Sequence, residues 1–505
     1  MRKLFTLLLV VATAFTAHAT DYNVPMVISV NDVTTEQESV ISVTENDGLY
    51  DFYLKNFILQ SPDGPMGVGN VELKGINPVL YEDAILLITA ETVTITPGDD
   101  PTVPFWMASA LPPVLVKLYG KIEHNDLRCC IDIDLTQALG QIIHVEMGAG
   151  YQLPNRSFEI WHTSKGTYEE PNAWHSFESA TGSLASMAGH HIAKSTDAHS
   201  GEASARIFST LVYGIAIANG TMTTGRLNAG SAQASDVANN AYLDMSMTDL
   251  DGAGKPFYSP MYSRPDSLVF WTKFNQGTAT PDHPYATVSA VITDGTYYQD
   301  PEDKAYTNVV AKAQNKEIAV TGDEWKRISI PFVYTDKVVD PKAVLITIST
   351  NADPGAGSAN DEVLVDDISF IYNSGLADIR IFGKSLKDFD PEKYEYTLET
   401  ASVPKVEDVE VDAKSPTSYA VMEISYSEVF EKYMLMIIAV NGDMSKQDIY
   451  SVLFDTTATE VQTLQSAAAE TVTYYTLDGI QVAAPQAGKI YLSRKSDGTV
   501  TKVLK

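Results

Sequence analysis

The chain has 505 residues, a length that at roughly 100–200 residues per domain predicts about three or four domains. Hydrophobic residues at 44% and charged residues at 20% supply enough apolar side chain for packed cores and exclude a disordered chain. With 65 Asp and Glu against 35 Lys and Arg, the net charge is −30, which repels phosphate backbones and anionic headgroups and argues against nucleic acid and membrane-surface partners. Calcium and neutral polymers stay open.

Residues 1–19 read as a secretory signal peptide: Arg2 and Lys3, an apolar run from Leu4 to Phe15, then Ala17-His18-Ala19 as a small-residue cleavage site. The run is too short to span a bilayer, and no later apolar stretch reaches the ~18 residues of a transmembrane helix. The expected localisation is extracellular or on the outer cell surface. Cys129 and Cys130 are the only cysteines, and neighbouring strand residues point to opposite faces, so two structural thiols are expected rather than a disulfide.

Short Val/Ile/Thr/Tyr-rich alternating runs, separated by Asp, Gly, Asn and Pro at spacings near ten residues, predict an all-β multidomain chain. Val40–Thr44, Tyr50–Leu54, Ala84–Ile88, Val93–Thr96 and Val114–Leu118 open the series. Residues 22–150 suit an antiparallel barrel, and the runs Tyr50–Phe57, Val68–Leu73 and Ile131–Asp134 resemble the calycin-like β-barrel domain of exported Bacteroidetes proteins. Such a barrel either encloses a small ligand or is filled by its own side chains.

Residues 153–373 carry a longer series: Ser157–Trp161, Pro171–Phe177, His199–Ile207, Gly254–Phe257, Arg264–Trp271, Glu324–Phe332 and Val363–Phe370. In that order they resemble the carbohydrate-metabolism domain of Bacteroidetes, a jelly-roll sandwich similar to carbohydrate-binding modules. Two insertions, Gly220–Gly254 and Asp294–Lys304, are where loop-borne function would most readily sit. Residues 375–455, through Leu376–Gly383 and Leu386–Tyr396, resemble a cadherin-like or immunoglobulin-like sandwich. Residues 456–470 form a Thr/Ala/Gln-rich linker. Residues 471–505, with an Asp-Gly turn and a basic end, resemble the C-terminal sorting domain of type IX secretion cargo, which implies outer-membrane secretion machinery as a partner; an ordinary terminal hairpin is the alternative.

Catalytic patterns such as His-Glu-x-x-His and Gly-x-Ser-x-Gly are absent. Gly252–Pro256 lacks the Ser or Thr of a phosphate loop, and Asp249–Gly252 lacks the remaining ligands of a calcium loop, so both read as turns. His162, His175, His190, His191 and His199 cluster in sequence without metal-ligand spacing and are expected to be exposed or hydrogen-bonded. Glu159, Glu178, Asp294 and Asp300 are the acids to inspect for glycoside hydrolysis, which needs two carboxylates ~5–9.5 Å apart.

Sugar binding needs a flat aromatic face with polar groups around it. Trp161, Trp174, Tyr297 and Tyr298 are the candidate carbohydrate-binding residues: core and surface are equal readings for the tryptophans, and exposure is expected for the tyrosines. Trp271 and Trp325, beside Val269, Ile328 and Ile330, are expected in the core. Resemblance to carbohydrate-binding sandwiches implies a structural Ca2+ at Glu159, Asp366 and Asp367, with a strand-end hydrogen-bond network as the alternative. The expected function is glycan binding in support of polysaccharide use or adhesion; a glycoside-active enzyme and a purely structural surface protein follow.

Overall fold

Apolar side chains at every second position in the first part of the chain become one face of a nine-stranded antiparallel sheet. The computed structural model describes residues 18–504 except 31–32, 60–63, 82–83, 165–167, 247, 337–338, 457–471, 477–480, 483–489 and 496–499. Most of the expected leader and linker, and the Asp478-Gly479 turn, therefore lie outside the described residues. The fold is all-β; the α-helices among the described residues are the four-residue turns Thr136–Leu139 and Ala185–Ala188.

The strands are β1 (His18–Val30), β2 (Val33–Asn46), β3 (Leu49–Leu59), β4 (Met66–Ile76), β5 (Pro78–Tyr81), β6 (Ala84–Val93), β7 (Val114–Glu123), β8 (Asp126–Leu135) and β9 (Gln141–Met147). Their order β4-β3-β2-β1-β9-β8-β7-β6-β5 nearly closes a barrel. The edge strands β4 and β5 meet at Asn77, and the backbones of Asn70 and Thr96 brace the seam with bonds of 2.7 and 3.2 Å. Phe52, Leu54, Phe57, Val71, Leu118 and Ile131 are fully buried and fill the interior, each worth ~1.5–3 kcal/mol relative to exposure. Cys129 joins that core; Cys130 points the other way and is covered by the Asp443 carbonyl, 3.7 Å from its sulfur. Burial pushes the Cys129 thiol up to about 12, against the opposing pull of Arg128, so it is unreactive.

Two further sheets pack face to face. One has the order Ile192–Ser195, Ser204–Phe208, Glu362–Ile371, Ser267–Asn275, Lys326–Pro331; the other runs Thr221–Thr223, Ala343–Ser349, Ala286–Thr293, Val309–Ile318, Val333–Tyr334. Phe270, Phe274, Val288, Ile292, Ile346 and Val365 meet between them. Trp271 and Trp325 correct the expectation: both are half-buried and stand outside this core. Phe270, Thr272 and Phe274 take the inward positions of their strand, while Trp271 shares the outer parity with Lys273. A bulge opposite Phe270, with Asp367 at φ 47, shifts the register there. His199 stacks on Trp271 with centroids 3.9 Å apart, and Lys273 lies over Trp325.

A third core gathers Leu376, Ile379, Leu435, Ile437, Tyr450 and Phe454, and includes a parallel pairing of Glu395–Thr400 with Gln447–Thr456. The last strand of the C-terminal sheet, Val500–Leu504, lies against Tyr419–Ser427.

These parts are not beads on a string. Arg128 is buried and donates to Glu146 Oε2 at 2.9 Å and to the Asp443 carbonyl at 3.0 Å, while Arg156 takes the other oxygen of Glu146. Gln152 donates to the Phe370 carbonyl at 2.7 Å and to Asp443 Oδ2 at 3.1 Å. Lys121 of β7 reaches the Tyr419 hydroxyl at 2.8 Å. The expected domain breaks near residues 150–153 and 373–375 thus fall where side chains bind across: Tyr372 donates to the Tyr151 carbonyl at 2.7 Å, and Ser418 to that of Asn373 at 2.8 Å.

Candidate functional site

The two insertions meet. Arg226–Ala229 pairs with Asn239–Tyr242, which pairs with Gln299–Asp300, forming a three-stranded sheet apart from the two main ones. Asn228 lies opposite Asn240, and Tyr242 opposite Gln299, so their side chains share one face. The alternate residues Leu227, Ala241, Leu243 and Tyr298 point the other way into an apolar cluster with Val291 and Leu345. One face anchors the sheet, and the other walls a cavity of about 390 Å³, within the ~300–1,000 Å³ range of small-ligand pockets.

Two tyrosine rings, Tyr242 and Tyr297, stand 6.0 Å apart between centroids with 33° between their planes. Tyr297 is 49% exposed, and its loop is held by Asn308, which donates to the Thr296 and Tyr297 carbonyls at 3.2 and 3.1 Å. Its hydroxyl donates to Gln299 Oε1 at 2.8 Å. Burial first, then Asp303 and Tyr242, push the Tyr297 phenol up, so the ring stays neutral. Thr181 completes one side: its hydroxyl lies 3.2 Å from the Tyr242 hydroxyl and from Asn228 Oδ1. Asp236 and Asp303 are the charged residues of the wall. The Ala238 backbone N–H, then Ser231, hold Asp236 below the ordinary carboxylate range. Arg226, on the same face of its strand, is consumed by Asp249 at 2.5 Å and Asp244 at 3.4 Å.

The structure separates the four candidate aromatics. Tyr297 lines the cavity. Tyr298 is 1% exposed, because adjacent residues in extended chain take opposite faces; its hydroxyl reaches Glu302 at 3.2 Å. Trp174 is fully buried against Phe158, centroids 5.3 Å apart, and has no open face. Trp161 is half-buried, packs on the same core, and donates from Nε1 to the Phe158 carbonyl at 2.5 Å. Asn228, Asn240, Tyr242 and Gln299 escaped notice in the sequence, although Arg226-Leu-Asn-Ala229 and Asn239-Asn-Ala-Tyr242 alternate polar and apolar residues in the same insertion.

Glu159, Asp366 and Asp367 converge on one loop, residues 199–203. Glu159 Oε1 accepts the N–H groups of Glu202 and Ala203 at 2.8 and 3.1 Å; Asp366 Oδ2 accepts those of His199 and Ser200 at 2.7 and 3.3 Å. Asp367 binds His199 Nδ1 at 2.6 Å and the Ser200 hydroxyl at 2.8 Å. Oxygens directed at N–H and O–H donors are what a strand-end hydrogen-bond network supplies. Among the described residues, no group of three or more His, Cys, Asp or Glu converges as a metal cage. The five clustered histidines each have a partner: Asn172, Asp251, Glu178, the Phe208 carbonyl and Asp367 in chain order.

Of the acids considered for hydrolysis, Asp294 caps its own turn through Thr296 at 2.9 and 2.6 Å. Glu178 is pushed up to about 7 by burial and by Glu170, but it faces His190 at 3.3 Å and is no part of the cavity wall. A second cleft of about 430 Å³ lies where residues 370–374 meet the third core; there Lys414 pairs with Glu392 at 2.8 Å and Tyr394 with Asp448 at 3.2 Å.

No family model matches the chain, and no curated protein matches it. Among solved structures, the chain is similar to one described as "Structural basis for the promiscuous specificity of the carbohydrate-binding modules from the beta-sandwich super family". The identity is 12%, the match covers 71% of this chain and 100% of that one, and the TM-score is 0.20. A likeness at that score carries no argument about this chain's chemistry.

Proposed function

We propose that the cavity between the two insertions is a non-catalytic saccharide site, on a protein exported to the cell surface or beyond. The observation that carries the reading is the pairing of Tyr242 and Tyr297 with an amide and carboxylate wall in one cavity. An aromatic body with a polar tip suits a sugar ring, whose C–H face is apolar and whose edge is polar. The leader pattern at residues 1–19 supports export, and the C-terminal sheet is the segment that secretion machinery would engage. Of the acids considered for the glycoside-active reading, Glu159, Glu178, Asp294 and Asp300, none lines the cavity, and Glu178 is the one pushed up toward neutral pH. A general acid must stand within hydrogen-bond reach of the scissile oxygen, and Glu178 lies outside the cavity. Asp236, inside it, is shifted in the direction opposite to a proton donor.

The test is a glycan array probed with the full chain and with Tyr297→Ala. Binding without turnover, lost in the variant, supports the site. Retention of the best glycan by a normally melting Tyr297→Ala variant refutes it.

A further inference from the structure

Resting on the saccharide reading, the wall also specifies which sugar. The charged groups of the cavity wall are both carboxylates, Asp236 and Asp303. Asn228 directs one N–H at the Ala238 carbonyl at 2.7 Å, Asn240 one at that of Val237 at 2.8 Å, and Gln299 both of its own at Val237 and Pro301 at 3.2 and 3.1 Å. A carbonyl can be met only by the NH2 side, so these bonds also orient the amides. The Thr181 and Tyr297 hydroxyls in turn serve Asn228 and Gln299.

The charged groups that remain are carboxylates. Asp303 accepts the Tyr306 hydroxyl at 2.7 Å on one oxygen only. Asp236 and Asp303 bring negative charge from the two insertions, and among the described residues no Lys, Arg or His lines the cavity. An anionic unit would bring like charge to two carboxylates. A protonated amino group brings three donors and the opposite charge, and the tyrosine faces attract cations as well.

We propose that this cavity prefers an amino-sugar unit with a free ammonium group over the neutral or N-acetylated unit, and rejects uronate and sulfated units.

The experiment is calorimetric titration of the full chain with the β-1,4-linked disaccharides of glucosamine, N-acetylglucosamine and glucose, and with a diuronate, at a pH that keeps the amine protonated. Disaccharides limit the general attraction of a polycation to a chain of net charge −30. We expect the glucosamine dimer to bind at least about tenfold tighter than the neutral dimers, the scale of one charge-assisted hydrogen bond, and the diuronate not to bind. Asp303→Asn should bring the ratio of amine to neutral affinity close to one, whereas Glu317→Gln, which removes one exposed charge elsewhere, should preserve it.

If the neutral dimers or the diuronate bind as well as the amine, the preference is wrong while the saccharide site stands. An amine preference that survives Asp303→Asn, or falls equally in Glu317→Gln, reduces it to bulk charge and overturns the assignment to this wall. If no saccharide of any class binds on the array or in the calorimeter, the saccharide reading falls and this inference with it.

Discussion

The barrel and the small insertion sheet are built by the same rule and put to opposite uses. In both, side chains alternate between two faces. The barrel curls until its apolar face encloses itself, and Phe52, Phe57 and Leu118 fill the space inside. The insertion sheet has three short strands and cannot close, so it sets Leu227, Ala241 and Tyr298 against the sandwich and leaves Asn228, Asn240 and Tyr242 around open space. A closed face contributes stability, whereas an open face anchored from behind is available for recognition.

The largest expected effect tests whether the barrel interior is filled. Phe52→Ala should cost about 3–5 kcal/mol in chemical denaturation, from lost burial plus a cavity that the surrounding strands cannot close. A loss below about 1 kcal/mol would mean a roomy interior and return the barrel to the ligand-binding class.

A smaller loss should follow from the charged cluster that ties the barrel to the other two cores. Burial by itself raises the Glu146 carboxyl, but Arg156 and Arg128 outweigh it and hold the group well below the ordinary range. A depressed carboxyl contributes stability that is complete above its unfolded value, about pH 4.3, and that drains away as pH falls through the folded value. Glu146→Gln should therefore cost about 1.5–3 kcal/mol at neutral pH and flatten the acid limb of a stability profile below about pH 4. An acid limb identical to the parent's would show that Glu146 is not the group being titrated.

Neighbouring tyrosines give the closest comparison. Tyr298→Phe, which removes the bond to Glu302, should cost about 0.5–1.5 kcal/mol and leave the cavity wall in place. Tyr297→Ala should change stability by no more than about 0.5 kcal/mol while abolishing saccharide binding. Swapped outcomes, with binding lost at residue 298 and stability at 297, would invert the assigned faces.

The same alternation shows how much of the molecule was legible beforehand. It separated Cys129 from Cys130 correctly, and applied to Tyr297 and Tyr298 it would have allowed one exposed ring rather than two. Trp271 was misplaced by attention to Val269, when Phe270, Thr272 and Phe274 offered the competing inward set. The insertions were visible as breaks in strand rhythm, and the cavity lies between them. Arg128, Glu146, Arg156 and Asp443 could not have been grouped, because no local periodicity links residues brought together only by packing of separate cores.

The smallest expected effect, a chelator response of zero, concerns the loop held by Glu159, Asp366 and Asp367. Burial, then Asp367, push the Asp366 carboxyl up to about 7 despite three backbone N–H bonds. A carboxyl raised in the folded state contributes stability that is fully present below its unfolded value near pH 3.9 and is lost as pH rises through about 7. A hydrogen-bond network therefore predicts a decline in melting temperature across that window, unchanged by excess chelator or by added calcium. A bound calcium ion predicts the reverse: it would keep Asp366 ionised, remove the decline, and make the melting temperature fall on chelation through the lost binding energy. Melting curves at pH 5 and pH 8, each with chelator and with calcium, separate the two. The network requires the curves to coincide at each pH, and a calcium-dependent gap at pH 8 would replace it with a metal site.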